Sequence, residues 1–455
     1  MSSGPAPDRF PPQRIAVVGA GISGLAAAWL LSRRHQVTLY ESEGRPGGHT
    51  CTVAAPGPAE PLPVDMGFIV YNEASYPNLS ALFRHLGVET RQTCMSLGVS
   101  LDDGDLEYGS RGLGGILAQP RNLIRPRFLS MLSELVRFYR EGPRDMADRT
   151  LAGLSLGDYL NARSYSEPFQ TDHLLPQAAA IWSSPVAKAR DYPAEAFIRF
   201  FDNHGLMKLV ARPLWRTVVG GSSAYVHKLL ADFPGPVRLG QGVSAIRRLP
   251  DGVLVRGRSG SVERFDQVVV AAHADQALAL LADPSPEEAR LLGAIRYGAN
   301  RVLLHTDPAL MPRRRRAWSS WNYVGRRGER DEAAPPTVSY WMNRLQGLPG
   351  DPLFVTLNPA RDPRPETILE SRDFDHPLFD IGAMAAQRRL WSLQGRQRTW
   401  FCGAYFGAGF HEDGLQAGLA VAEAIGGVRR PWTAPNESGR IHLPAPAEPP
   451  LGLAA

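Results

Sequence analysis

The chain has 455 residues, 44% apolar and 21% charged, which is enough for two or three domains that each bury a core. Its 45 glycines and 39 prolines are too few for a collagenous or wholly disordered chain and mark a loop-rich α/β protein. The 50 Lys and Arg against 45 Asp and Glu leave a formal charge of +5, too mild over this length to indicate nucleic acid.

Three cysteines, Cys51, Cys94 and Cys402, stand far apart and form neither a disulfide framework nor a metal-ligand spacing. That usage suits a reducing cytoplasm. No uncharged apolar run reaches the ~18 residues of a transmembrane helix. The polar, Pro-rich residues 1–12 carry no hydrophobic signal core, so a cytoplasmic location is expected.

Taken in chain order, Arg14–Val18 reads as a short buried strand, followed by a glycine turn at 19–24. Residues 25–33 have the Ala/Leu content of a helix, and Gln36–Tyr40 reads as a second strand ending at Glu41. A helix between two apolar strands is the crossover that parallel pairing requires. Further strands are expected at 64–71, 237–246, 253–256, 265–272 and 399–402, with a helix over 414–426. Long aromatic and basic stretches separate them. The pattern predicts a Rossmann-type nucleotide-binding domain, in segments 14–92, 220–288 and 392–429, interrupted by a substrate domain at 93–219 and 289–391. Residues 430–455, rich in Pro and Ala, are expected to be a disordered tail.

Gly19, Gly21 and Gly24 form G-x-G-x-x-G between strand and helix. The first glycine allows the tight turn, the second lets a pyrophosphate approach the backbone, and the third lets helix and strand pack closely. The phosphates then sit at the positive end of the helix, beside Ser23. Glu41 is placed to accept hydrogen bonds from ribose hydroxyls and would repel a 2′-phosphate, which makes NADP a poor fit.

Beyond Glu41, Arg45-Pro46-Gly47-Gly48 resembles the second motif of the flavin amine oxidase superfamily. Val64-Asp65-Met66-Gly67-Phe68, Gly220-Gly221-Ser222, Val243 on its strand, and Gly403 with Glu412-Asp413-Gly414-Leu415-Gln416-Ala417 resemble later motifs in the same order. The resemblance implies an amine oxidase-like two-domain fold: an α/β Rossmann-type FAD-binding domain interrupted by a mixed α+β substrate domain. It implies FAD rather than NAD, with Arg45 as a cation for phosphate or ribose, Gly47, Gly48 and Gly67 passing close to the cofactor, and the Val243 backbone holding adenine. It also implies that the helix start near Gly414, Leu415 and Ala417 faces the flavin. The superfamily's covalent Ser-Gly-Gly-Cys stretch is absent, so FAD is expected to be non-covalent. His49 stands where an Arg often follows the Gly-Gly pair.

Residues 68–72, 201–205, 215–221 and 403–407 further resemble a bacterial NAD/FAD-binding oxidoreductase subgroup. That subgroup is associated with cyclopropane-fatty-acid-synthase-like methyltransferases, which implies a lipid substrate and a methyltransferase partner. The implied function is an FAD-dependent oxidoreductase taking a hydride from an apolar, lipid-derived substrate, such as a methyl-branched or cyclopropane fatty acyl chain. The alternatives are a flavin amine oxidase and a non-catalytic FAD-loaded partner of a lipid-modifying methyltransferase.

A flavin accepts hydride at N5, so the protein must orient a C–H bond, exclude water and manage protons. His204, His411 and Tyr405 are the candidate catalytic residues; an ordinary turn is the competing account of His204, and a helix cap that of His411. Trp182, Trp215, Tyr340 and Trp341 could line an apolar slot or simply fill a core. Asn343 is a candidate buried polar residue facing substrate, and Arg212 and Arg216 are candidate contacts for an anionic headgroup. Residues 121–129 alternate cations with apolar side chains, and Leu132, Leu135, Val136 and Tyr139 continue at helical spacing. Such a basic amphipathic stretch either covers a core or lies in a membrane interface, peripherally at its inner face. The run at 313–316 is four arginines, expected to be a solvated loop. No metal site is expected.

Overall fold

Ile15, Ala16, Val17 and Val18 are all buried, because their strand lies at the centre of a sheet covered on both faces. In this computed structural model, which describes residues 11–182, 185–208, 212–327 and 336–444, the chain divides into two compact units. The first comprises the residues up to Pro46, Phe233–Ile295 and those from Met384. The second comprises Gly47–Asp232 and Arg296–Ala383.

The first unit holds a five-stranded parallel sheet in the order Val237–Arg238, Gln36–Tyr40, Arg14–Val18, Gln267–Val270, Thr399–Phe401. This is the expected Rossmann-type core. The single strand expected over 237–246 is two: Val237–Arg238 joins the parallel sheet, while Val243–Leu249 pairs antiparallel with Gly252–Gly257 in a separate three-stranded sheet. Gly240 and Gly242 allow the chain to change direction between them.

The second unit is built on a seven-stranded mixed sheet in the order Ile368–Leu378, Arg296–His305, Phe354–Leu357, Thr337–Trp341, Trp321–Gly325, Leu97–Leu101, Leu106–Gly109. Helices between Pro126 and Asn203 complete it.

The two units divide the chain differently from the expected segments. Residues 47–92 and 220–232 belong to the second unit, because their backbone pairs within it: Thr52–Ala55 with Leu62–Asp65, and Tyr71–Asn72 and Thr90–Thr93 with Trp215–Val218. The expected strand over 64–71 is accordingly two short pieces separated at Met66–Val70. No described helix is long and apolar enough to cross a membrane.

The expected disordered tail is also corrected for its described part, residues 430–444. Arg430 is buried with Glu423 as its ion-pair partner at 2.8 Å, and Trp432 stacks on Trp29 at 5.9 Å. Arg440 pairs with Asp413 at 2.6 Å. Aromatic and cationic anchors among the prolines supply what composition alone concealed. Residues 445–455 of that expectation lie outside the described residues.

Candidate functional site

In the first unit the glycine fingerprint has the geometry that a pyrophosphate needs. Gly19 has φ +104°, and a Cβ there would lie 2.6 Å from the Ala271 carbonyl oxygen. A Cβ on Gly24 would run into the Gly19 carbonyl, so helix and turn meet without a side chain between them. Gly21 differs: nothing lies within 4 Å of where its Cβ would be. It is the N-cap of helix Ile22–Leu31 and provides no side-chain cap. An open approach at an uncapped helix start is a ready anion site.

Glu41 closes this site. Its carboxylate accepts from the Ala20 N–H at 2.7 Å, the Glu43 N–H at 2.9 Å and the Ser42 hydroxyl at 3.1 Å, pinning the end of the second strand to the glycine turn. Backbone hydrogen bonds from Gly240 to Glu43 and from Gln241 to Glu41 run the chain past this corner towards Val243, which is 5% exposed. Arg45 forms an ion pair with Glu43 at 3.0 Å.

The closing helix spans His411–Ile425, three residues earlier than expected. Leu415 and Ala417 therefore sit past its first turn, where N–H groups belong to the helical ladder, and the positive end lies at His411 and Glu412. Ser23, expected to meet cofactor, points into this helix: its Oγ lies 2.8 Å from a Cβ placed on Gly414, and its carbonyl leaves no room for one on Gly418. Gly418 went unnoticed in the sequence, although its spacing of four from Gly414 is the available signal. Gly403 packs its bare Cα under the ring of the buried Tyr405, and Gln387 Nε2 donates to the Tyr405 carbonyl at 2.8 Å.

In the second unit two motifs meet at a residue the sequence did not single out. Asp65 is fully buried and accepts from Thr52 Oγ1 (2.5 Å), the Ser222 N–H (2.8 Å), Ser222 Oγ (2.8 Å) and Gln346 Nε2 (3.0 Å). Burial outweighs these donors and lifts its carboxyl to about 6. Gly47 and Gly48 both have positive φ, and the His49 carbonyl lies where a Cβ on Gly67 would be, so 47–49 and 65–67 run in close contact. The His49 ring sits between Phe374 and His376.

His204 caps the end of helix Ala194–Asn203 in a turn continued by Gly205 at φ +63°. The ring lies 3.9 Å from that of Phe200, edge-on to Tyr76 and parallel to Trp215, and its Nδ1–H donates to the Phe200 carbonyl at 2.9 Å. His411 is buried, and burial pulls its pKa down to about 3, so its ring is neutral at any physiological pH.

Trp215 and Tyr340 belong to one hydrophobic cluster, where Trp321 meets Tyr340 edge-on at 5.2 Å. Trp182 packs instead on Tyr192, Phe197 and Phe200. Trp341 is separated from Tyr340 by strand alternation and packs against Trp318 on the other face. The Asn343 amide donates to the Leu348 and Asp351 carbonyls and accepts from the Leu353 N–H, fixing the turn after the strand. Arg216 is spent on Thr90 and Arg212 on the Lys208 carbonyl.

A model of flavin-containing amine oxidoreductases matches residues 22–410, most of the chain. The chain belongs to that family. Among curated relatives, polyamine oxidase 4 of Oryza sativa subsp. japonica is 24% identical over 363 residues, 77% of this chain and 68% of the rice protein. Protoporphyrinogen oxidase 2 of Arabidopsis thaliana is 43% identical over 81 residues; that match spans 18% of this chain and only 15% of the relative. Among solved structures, cyclohexylamine oxidase from Brevibacterium oxydans IH-35A (TM-score 0.63, 18% identity, 91% of this chain and 99% of that one) shares the fold. So does the CLA-producing fatty acid isomerase from P. acnes (TM-score 0.64, 17% identity, 91% and 98%).

This amine oxidoreductase family member is therefore a flavin-dependent oxidoreductase. The first unit fits FAD on its own geometry: the open space at Gly21, the uncapped helix start and the carboxylate of Glu41. Cys402 is buried and its thiol pushed well up, so it is not a tethering nucleophile.

Proposed function

We propose that this flavoenzyme takes a hydride from a carbon of a neutral, apolar, lipid-derived substrate, desaturating methyl-branched or cyclopropane-bearing acyl chains. The observation that carries this reading is how the buried carboxylates of the second unit are spent. Asp65 is ringed by Thr52, Ser222 and Gln346; Glu107 is held by Arg314, Asp145 by Tyr159 and Arg163, Asp172 by Arg127, and Asp307 by the Ala309 and Arg364 N–H groups. Among the described residues, this leaves no buried carboxylate to receive a substrate ammonium in that unit. What remains is aromatic surface at Trp215, Trp321 and Tyr340. The fatty acid isomerase among the structural neighbours supports a fold compatible with acyl chains.

Desaturation breaks two C–H bonds: bound FAD would supply the hydride acceptor, a second oxidant would regenerate it, and the proton needs a protein base. His204 is the base in this reading. Its Nδ1–H is committed to Phe200, which sets the lone pair on Nε2. His411 is poorly suited, because a base at about 3 has little affinity for the proton it must take. Tyr405 is assigned a positioning role through its packing on Gly403. A methyltransferase acting on acyl chains is the partner this reading implies, as the source of substrate.

Anaerobic mixing with methyl-branched or cyclopropane fatty acids while following flavin absorbance tests the reading. Bleaching is expected, with His204→Asn slowing it by about 10²-fold or more at unchanged FAD content. Peroxide release with amines and no response to acyl chains would replace it with amine oxidation. Failure of both, alongside stable capture of a methyltransferase, would favour the non-catalytic partner.

A further inference from the structure

We propose that one corner of the second unit, built from residues 111–129 and 313–316, is a docking face for an anionic lipid bilayer. Two short helices, Gly112–Ile116 and Pro120–Ile124, lead directly into helix Pro126–Ala147, and the turn Arg315–Ala317 packs beside the first of them. Eleven large apolar side chains are exposed among the described residues, and four lie within 113–129: Leu113 (76% exposed), Leu123 (53%), Ile124 (82%) and Leu129 (46%). That concentration is not the scatter of an ordinary surface.

The backbone presenting them is firmly held. Gln119 and Asn122 are buried; Gln119 Nε2 donates to the Gly104 carbonyl at 2.8 Å and Asn122 Nδ2 to the Glu107 carbonyl at 3.1 Å, while Phe128 is buried beneath the helix start. The outward aliphatic side chains are thus displayed by inward polar anchors.

The arginines here divide into two sets. Arg121 and Arg125 pair with Asp105, Arg127 with Glu167 and Asp172, and Arg314 with Glu107, so these are structural. Arg111, Arg313, Arg315 and Arg316 are exposed and have no ion pair among the described residues. Arg315 lies over the Trp318 ring at 4.8 Å, and Arg111 reaches the Trp318 carbonyl at 3.5 Å, which gathers cations beside the aliphatic tips.

Aliphatic insertion and headgroup electrostatics are the two signals that together give reversible membrane anchoring. Aliphatic tips separated by arginines, without an exposed aromatic among them, fit a headgroup layer better than a protein hot spot built on Trp or Tyr. The expected amphipathic stretch is thereby corrected in extent. Beyond Leu129 the helix turns Met131 and Phe138 into the core, and Val136 is its one further exposed large apolar side chain among the described residues, so the aliphatic tips concentrate on its first turn and the two helices before it.

The test is sedimentation of the full FAD-loaded chain with vesicles of phosphatidylcholine alone or mixed with phosphatidylglycerol. Binding is expected only to the anionic vesicles and should weaken as salt is raised. L123S/I124S and R315E/R316E should each lower the partition coefficient about tenfold or more, with unchanged thermal unfolding and flavin content. R256E, a charge reversal at an exposed position of strand Gly252–Gly257 in the first unit, should leave it unchanged. Absence of pelleting with anionic vesicles, equal binding to neutral ones, or an equal loss in R256E would overturn the proposal. This face does not depend on what the enzyme oxidises, so a failure here leaves the substrate reading untouched.

Discussion

Asp65 and Ser222 are joined by both the N–H and the hydroxyl of the serine, which ties the strand end at 65 to the turn opening helix Ser223–Ala231. Asp65→Ala would strand several buried donors at once. It is expected to cost about 3–5 kcal/mol in stability, with Asp65→Asn costing less because its amide oxygen still accepts. Urea unfolding of the two variants checks this. Equal losses would mean that the carboxylate is not the acceptor holding the junction.

Gly21 and Gly24 separate cofactor binding from folding. Gly21→Ala adds a methyl group where the protein has open space, so the chain should fold normally while FAD affinity drops at least about tenfold. Gly24→Ala meets the Gly19 carbonyl and should give little soluble protein. Flavin titration of purified G21A decides the first point; wild-type affinity would remove the pyrophosphate from this turn.

Three buried histidines predict the acid limit of stability. Burial holds His173 and His305 at about 4 and His411 at about 3. The unfolded chain takes up each proton near 6.5, so it binds more protons than the folded state as pH falls below that value. Their contribution to stability is therefore full above about 6.5 and is lost progressively towards 4. Denaturation midpoints measured between pH 7 and 4 should show this slope, reduced in His411→Asn.

The absence of a Ser-Gly-Gly-Cys stretch predicts non-covalent FAD. Acid precipitation should leave the yellow chromophore in the supernatant and a colourless pellet. Flavin retained by the washed pellet would reveal a covalent link and overturn this expectation.

The fingerprint Gly19, Gly21, Gly24 and Glu41 was legible because its chemistry is local: a turn, a helix start and a strand end within 25 residues. The parallel core was legible for a related reason, since Val17 and Val269 sit in uninterrupted apolar runs. Asp65 and Gly418 were not, because their partners, Ser222, Gln346 and Ser23, are brought to them only by tertiary folding. The unit boundaries were hidden likewise: nothing in Tyr71 and Asn72 announces that their strand partners are Arg216 and Trp215.

The strand Arg14–Val18 has consequences for how the protein is made. Its neighbours Gln267–Val270 and then Thr399–Phe401 emerge much later than it does, after the chain has left this unit and returned to it twice. A nascent chain must therefore carry an exposed parallel edge while the intervening residues are made, a demand that slow, non-local pairing makes on chaperones. Neither unit can be excised as one continuous fragment.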